Sequence, residues 1–317
     1  MKELMVLVPF YQREQGVLNR TLQSIEQQTC LACIKQVVIV DDGSPIPADD
    51  ELDGLSSLLS EKILIIKQQN QGVSVARNVA LQYALDHTSY VAFLDSDDTW
   101  LPTHVASMIE AFELGAQFYF SNFYQPEQNV GAFERGGRLS LASHRKLQDQ
   151  LYAFDSDMVE QILVGNLIGT STVGFKISDF KALRFRENLQ FAGEDYLFWL
   201  DIAKAKPIII FNNQITVEYG KGVNIFASAT WGTMHLQHRL TDELSFLRTV
   251  VNDYTINERT LHEVKCKMWY IRKQLLLNTL SLMRQREGQV LKHFSKLIFN
   301  DPKVLLGLFV RRMANAD

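Results

Sequence analysis

The sequence predicts an α/β protein, with a mainly parallel sheet flanked by helices and an all-helical region after it. Three observations carry this prediction. Apolar, β-branched runs alternate with amphipathic stretches over about the first hundred residues, the pattern of right-handed βαβ units. Each of those runs stops at a polar cluster. After Thr230 no strand-like run follows, and two long helical patterns take over.

The elements follow in order. Leu4–Val8, Gln36–Val40, Lys62–Lys67 and Tyr90–Leu94 read as buried strands. Val17–Gln28 repeats apolar residues at helical spacing (Val17, Leu18, Leu22, Ile25), and Leu52–Leu59 and Val73–Leu85 are the next two helices. Pro102–Leu114 is a helix, Gln117–Phe123 an aromatic strand, and the polar stretch Gln125–Arg145 a loop over the sheet edge. Lys146–Val164 is expected to be helical and Thr172–Lys176 a strand. Gly193–Ala205 is a helix opening on two acids, where the helix dipole favours negative charge. Pro207–Phe211 and Ile215–Tyr219 are short strands, and Met234–Val251 and Glu258–Arg286 are long helices. The expected division is an α/β domain over 1–222 and a helical region over 223–317.

Composition narrows the function classes. Of 317 residues, 46% are hydrophobic and 21% charged, which excludes a disordered chain. Lys and Arg total 32 against 36 for Asp and Glu, a net charge of −4, so nucleic acid is not the expected partner. No apolar stretch approaches the roughly 20 residues that span a bilayer, and no signal-peptide core precedes Pro9. The expected location is cytoplasmic, free or peripheral on the inner face of the cell membrane. Cys30, Cys33 and Cys266 are expected as reduced thiols, too few and too scattered for a structural zinc.

Polar clusters close the strands at Pro9-Phe10-Tyr11-Gln12, Asp41-Asp42-Gly43-Ser44, Gln68-Gln69-Asn70-Gln71-Gly72 and Asp95-Ser96-Asp97-Asp98. Open sheets of this kind bind ligands beyond the carboxyl ends of their strands, so four clusters on one edge describe a site. Three carboxylates at one strand end are costly unless a cation sits among them. Hard oxygen ligands suit Mn²⁺ or Mg²⁺, which take few protein carboxylates and complete their shell with phosphate oxygens. Alternate residues of an extended segment point the same way, so Asp95 and Asp97 can act together.

The ordered set Val8-Pro9-Phe10-Tyr11, Val40-Asp41-Asp42-Gly43-Ser44, Asn70-Gln71-Gly72-Val73-Ser74-Val75-Ala76-Arg77-Asn78 and Phe93-Leu94-Asp95-Ser96-Asp97-Asp98 resembles the family 2 glycosyltransferases, which have the GT-A fold. Gly193-Glu194-Asp195-Tyr196 is similar to the Glu-Asp motif of that family, and the resemblance covers about residues 3–220. It implies an inverting transferase of the bacterial surface-polysaccharide type (capsule, O-antigen or exopolysaccharide). The donor would be a nucleotide-diphosphate sugar, UDP-linked, and the acceptor a saccharide that can be lipid-linked. Asp41 would accept a hydrogen bond from a pyrimidine base, with Pro9, Phe10 and Tyr11 as the wall of the base pocket. Asp42, Asn70, Gly72 and Arg77 would serve the rest of the nucleotide, and Ser96 would sit within the same donor motif. Asp97 would be the main metal ligand, Asp95 would lie near ribose or metal, and Trp100 would wall the donor sugar or fill the core. Asp195 would be the general base, and Glu194 a second carboxylate there or a helix-cap acid.

Later segments are less legible. Tyr219-Gly220-Lys221-Gly222-Val223-Asn224-Ile225 is a glycine-flanked turn able to close on donor or acceptor, similar to segments in some exopolysaccharide transferases of the family. His235 would complete the metal site, or it is an ordinary helix histidine. Val290–Arg312 carries Lys292, Lys296, Lys303, Arg311 and Arg312 against Asp301 alone. Such a basic, apolar helix fits an anionic membrane surface, its own core, or a second copy in a homodimer. A sugar nucleotidyltransferase would need a Gly-rich, basic loop after the first strand, where Phe10-Tyr11-Gln12-Arg13-Glu14 stands instead. A non-catalytic protein on a transferase scaffold would be expected to lose the acids, and all four (Asp41, Asp95, Asp97, Asp195) are present. A dinucleotide oxidoreductase lacks its Gly-x-Gly-x-x-Gly here.

Overall fold

The computed structural model describes residues 2–137, 139–221, 229–286, 288 and 290–306. The chain divides into two compact units, Met1–Glu187 with Phe198–Val223, and Asn188–Leu197 with Asn224–Asp317.

The first unit is built on one ten-stranded sheet. Strands β1 (Leu4–Phe10), β2 (Ile34–Asp41), β3 (Ile63–Lys67) and β4 (Tyr90–Phe93) alternate with helices α1 (Val17–Glu26), α2 (Ser57–Ser60) and α3 (Val73–Leu85). The two-residue β5 (Thr99–Trp100), α4 (His104–Glu113), β6 (Phe118–Tyr124) and α5 (Ala132–Gly136) follow. Next come β7 (Arg145–Gln148), β8 (Leu151–Ala153), α6 (Met158–Gly165), β9 (Gly174–Lys176), α7 (Glu194–Lys204) and β10 (Ile209–Glu218). The order across the sheet is β3-β2-β1-β4-β9-β6-β10-β8-β7, with β5 paired to β10. β1, β2, β3 and β4 are parallel, as are β6 and β10. β9 runs antiparallel between β4 and β6.

All seven residues of β1 are buried, as expected of a central strand covered on both faces. Phe93 of β4 centres an aromatic core with Phe175, Phe185, Phe198 and Trp199, in which Phe185 is stacked on Phe198 at 4.1 Å.

Several elements depart from expectation: the helix expected over Leu52–Leu59 is reduced to α2, Ser57–Ser60, and the loop expected over Gln125–Arg145 holds α5. The helix expected over Lys146–Val164 starts only at Met158, where the Asp157 side chain accepts from the Glu160 N–H. The residues before it form the β7–β8 hairpin, turned at Asp149 with φ +37°. The two short strands expected over 207–219 are one strand, β10, whose register against β6 shifts between Asn212 and Ile215. Its β6 contacts keep it continuous through the polar Asn212-Asn213-Gln214. Cys30 and Cys33 form a disulfide across the turn Leu31–Cys33, not two thiols, while Cys266 is free.

In the second unit α8 (Met234–Asp253), α9 (Glu258–Arg284) and α10 (Val290–Asn300) are followed by a short 3₁₀ turn, Pro302–Leu306. α8 and α9 share a buried polar seam. Gln237 Nε2 donates to Thr279 Oγ1 at 2.9 Å, and Asn278 Nδ2 donates to Gln237 Oε1 at 2.9 Å. Asp301, the one acid of the basic tail, pairs with Arg272 of α9 at 2.7 Å and is buried there. No helix among the described residues is long and apolar enough to cross a membrane.

Candidate active site

The carboxyl ends of β1, β2, β3 and β4 carry the four polar clusters. Two of them are locked together by Asp42. Its Oδ1 accepts from Gln68 Nε2 at 2.7 Å and the Gln71 N–H at 2.8 Å, and its Oδ2 accepts from the Gly72 N–H at 2.8 Å. Gly72 has φ +96°, a conformation glycine adopts without strain. Asp41 holds its own loop, accepting from the Ser44 N–H at 2.8 Å and the Ala48 N–H at 3.0 Å. Gly43 lets the two loops touch, since a Cβ there would lie 2.9 Å from the Asn70 nitrogen.

The acidic cluster after β4 is sorted by its partners. Asp95 is paired with Arg77, whose Nη2 reaches its two oxygens at 2.8 and 3.1 Å. Arg77 is itself buried, with its guanidinium 5.2 Å from the Phe185 ring centroid. Asp98 points inward, accepting from Ser171 Oγ at 2.5 Å and from the Gly220 N–H at 2.8 Å. Burial, then the charges of Asp97 and Asp95, push the Asp98 carboxyl well above the usual carboxylate range. Asp97 is pushed up to about 6 by burial first and by Asp95 second, with Arg20 and Arg77 opposing.

Asp97 opens on a cavity of about 790 Å³, within the range of small-molecule sites. Gln12, Arg13, Arg20, Glu218, Tyr219 and Lys221 line it too. Arg20 Nη2 donates to the Asp97 carbonyl at 2.9 Å, and Lys221 pairs with Glu127 at 2.9 Å. Gly220 packs against the Asp97 backbone so closely that a Cβ would fall on the Asp97 carbonyl oxygen.

Of the residues singled out from the sequence, Asp97 lines that cavity, together with Gln12 of the first polar cluster and Tyr219, Gly220 and Lys221 of the glycine-flanked turn. Phe10 is 1% exposed, so its ring is a core side chain and not a base wall; Pro9 is buried as well. Trp100 is a core residue of β5, donating from Nε1 to the Ser171 carbonyl at 2.7 Å, which removes it from the sugar. Ser96 is buried and accepts from Gln12 Nε2 at 3.1 Å. Tyr11 is half-buried and Asn70 is exposed. Arg13, Arg20 and Glu218 were missed. The alternation of polar and apolar positions around Arg20 gave no signal beyond a solvent-facing helix side.

The second unit holds Glu194 and Asp195, half-buried at the first turn of α7. Asp195 Oδ1 accepts from the Tyr196 N–H at 2.8 Å. The preceding Gly193 has φ +89°, and a Cβ there would lie 2.9 Å from the Cβ of Phe246, which seats this turn against α8. His235 is exposed on α8, its ring 6.2 Å from that of Phe191. Among the described residues no three His, Cys, Asp or Glu side chains gather to hold a metal, so His235 joins no such cluster. Gly222, Val223, Asn224 and Ile225 of the glycine-flanked turn lie outside the described residues.

A largely parallel sheet ending in an acidic pair, with a helical region after it, defines a class: glycosyltransferases of the GT-A type. The family model "Glycosyl transferase family 2" matches residues 5–180, and the chain belongs to that family. It is 27% identical over 312 residues to the succinoglycan biosynthesis protein ExoW of Rhizobium meliloti, covering 96% of both chains. It is 33% identical over 116 residues to an Escherichia coli protein, the UDP-Glc:alpha-D-GlcNAc-diphosphoundecaprenol beta-1,3-glucosyltransferase WfaP, covering 36% of this chain and 40% of that one. In fold it is similar to S. aureus TarS 1–349 in complex with UDP-GlcNAc, with a TM-score of 0.59 at 15% identity, covering 97% and 91%. It is also similar to the mannosyltransferase PcManGT of Pyrobaculum calidifontis in complex with GDP-Man and Mn²⁺, with a TM-score of 0.59 at 13% identity, covering 96% and 83%.

Proposed function

We propose that this glycosyltransferase moves a sugar from a UDP-linked donor to a saccharide hydroxyl, inverting the anomeric centre, in the assembly of a bacterial surface polysaccharide. The observation that carries the reading is Asp97. Its carboxyl is pushed up by burial and by Asp95, no side chain among the described residues hydrogen-bonds it, and it opens on the cavity with Arg13 and Arg20. A carboxylate pushed up by burial and by a neighbouring carboxylate, on a cavity lined by two arginines, fits a divalent cation bound together with a diphosphate. Asp97, with Asp95, would hold Mn²⁺ or Mg²⁺, which when bound supplies positive charge to the leaving diphosphate.

The chain's own residues do the rest. Arg77 holds Asp95 in place, and Asp42 fixes the loop carrying Asn70 and Gly72. Arg13 and Arg20 attract the phosphates. Asp195 takes the proton of the acceptor hydroxyl, and one base with one in-line displacement inverts the anomeric carbon. Glu194 stands beside it at the helix start, where negative charge is favoured. The names of the relatives support the donor and the setting: UDP-glucose with a diphosphate-linked acceptor for WfaP, and succinoglycan synthesis for ExoW. UDP-GlcNAc bound to TarS, and Mn²⁺ bound to PcManGT, support a nucleotide-sugar and a metal.

α10 contacts an anionic membrane surface in this reading. Leu291 is 69% and Phe299 87% exposed, beside Lys292 and Lys296. Residues 307–312 of the segment lie outside the described ones. The transfer reaction is tested by incubating UDP-sugars and Mn²⁺ with saccharide acceptors and comparing the enzyme with Asp195→Asn. Transfer by the enzyme and none by the variant, with UDP binding retained, is the expected result. Full transfer by the variant removes Asp195 as the base.

A further inference from the structure

The second unit contains a cavity of about 350 Å³ that the transfer reaction as described does not use. It lies between α8, α10 and the segment 188–191. His238 of α8 and His293 and Lys296 of α10 line it. The two imidazoles meet edge to face, their centroids 4.3 Å apart, and His238 stacks on Phe191 at 5.1 Å. Burial first holds both imidazoles below the usual range. His235 adds to this for His238 while Asp242 opposes it, and His238 and Lys296 add to it for His293. Asp242, the carboxylate of the lining, is committed to the backbone: its Oδ2 accepts from the N–H groups of Gln190 and Phe191, both at 2.9 Å. Lys296 is exposed, with no carboxylate in ion-pair distance among the described residues.

Three nitrogen-bearing side chains from two helices, with Thr241 and Asn188 also in the lining, form a seat for a phosphoryl group. One ammonium with two imidazoles that can each donate a ring N–H suits phosphoryl oxygens. Position decides which phosphate it takes. Phe191 precedes Asp195 by four residues, so their Cα atoms lie within about 14 Å of each other. Asp242 ties that segment to α8, and so does the close packing of Gly193 on Phe246. A diphosphate held there stands one or two sugar rings from a hydroxyl at Asp195, the arrangement of a diphosphate-linked saccharide. The donor's own diphosphate has its seat with Asp97 in the first unit.

We propose that this cavity seats the diphosphate of the acceptor, which makes a saccharide diphosphate the acceptor class of the enzyme; the inference rests on Asp195 being the base of the transfer reaction.

The test adds inorganic pyrophosphate to the full chain saturated with UDP and excess Mg²⁺, a diamagnetic ion, so that the donor site is filled. Pyrophosphate should shift the ring NMR signals of His238 and His293. The double variant His293→Gln, Lys296→Met should weaken its binding about tenfold or more, as loss of charge-assisted hydrogen bonds predicts. The same variant should lower the preference for a diphosphate-bearing saccharide over its neutral glycoside about tenfold, through the acceptor KM. Unmoved histidine signals would overturn the proposal. So would a loss of UDP affinity in the variant, which would assign the anion to the donor. Pyrophosphate binding is read without any transfer, so failure of Asp195 as the base and failure of this seat give different results.

Discussion

Gly220→Ala is a one-carbon probe of how the acidic motif is held. Gly220 does not sit in the left-handed region, so alanine costs space rather than backbone strain. Its Cβ would fall on the Asp97 carbonyl oxygen and lie 2.7 Å from the carbonyl carbon, inside the 3.0 Å that Cβ contacts respect. Both neighbours are backbone, so the strand end must retreat. Retreat stretches the 2.8 Å hydrogen bond from the Gly220 N–H to Asp98 and leaves that buried carboxyl with Ser171 alone. Leaving this buried carboxyl short of a hydrogen bond costs about 1–3 kcal/mol, and forced packing adds about 1–3. A total near 3–4 kcal/mol lowers Tm by about 10 °C in a unit of this size. Asp97 moves with its carbonyl, and misplacement of about 1 Å can cost two orders of magnitude in kcat/KM. Differential scanning fluorimetry and UDP calorimetry with Mn²⁺ read the two effects. A variant melting within roughly 2 °C of the parent, with unchanged UDP affinity, would refute the close approach on which the reasoning rests.

Three further outcomes are expected. Asp42→Ala removes the acceptor of the Gln71 and Gly72 N–H groups and should cost about 3 kcal/mol in urea unfolding while weakening UDP binding; unchanged stability would show the clamp to be dispensable. His104 is buried against Trp100 and its pKa is lowered by burial to about 3. The native state therefore keeps it neutral while the unfolded chain protonates below about 6.5, so the stability it contributes is complete above that pH and is lost as pH falls. The loss is about 1.36 kcal/mol per pH unit, or about 2 kcal/mol by pH 5, and His104→Phe should flatten that acid limb in urea titrations at pH 7 and 5. Replacing Leu291 and Phe299 together by Ser should reduce sedimentation with phosphatidylglycerol vesicles at least about fivefold, with helix content by circular dichroism retained; equal sedimentation would free α10 from the membrane.

The sheet was legible because β1, β2 and β4 are buried on both faces and so read as unbroken apolar runs. The β7–β8 hairpin was not, since its first strand is largely exposed and its turn depends on Asp149 at φ +37°. At the site, the acids stood out as residue types, but their tasks did not. The oxygens of Asp42 hold N–H groups 29 and 30 residues away, and Asp98 holds one 122 residues away. Such pairings arise from strand order, which no local pattern carries. Trp100 was open between the donor sugar and the core, and packing buries both it and Phe10. Arg20 looked like one more solvated helix residue until α1 brought it to the Asp97 carbonyl.

The central claim is that Asp97 holds a divalent cation with the donor's diphosphate. Calorimetric titration of UDP into the enzyme and into Asp97→Asn, each with Mn²⁺ and with EDTA, tests it most directly. The account predicts tight binding only for the parent with Mn²⁺, and at least about a tenfold loss in the other three cases. Equal UDP affinity for the parent and Asp97→Asn in Mn²⁺ would contradict it.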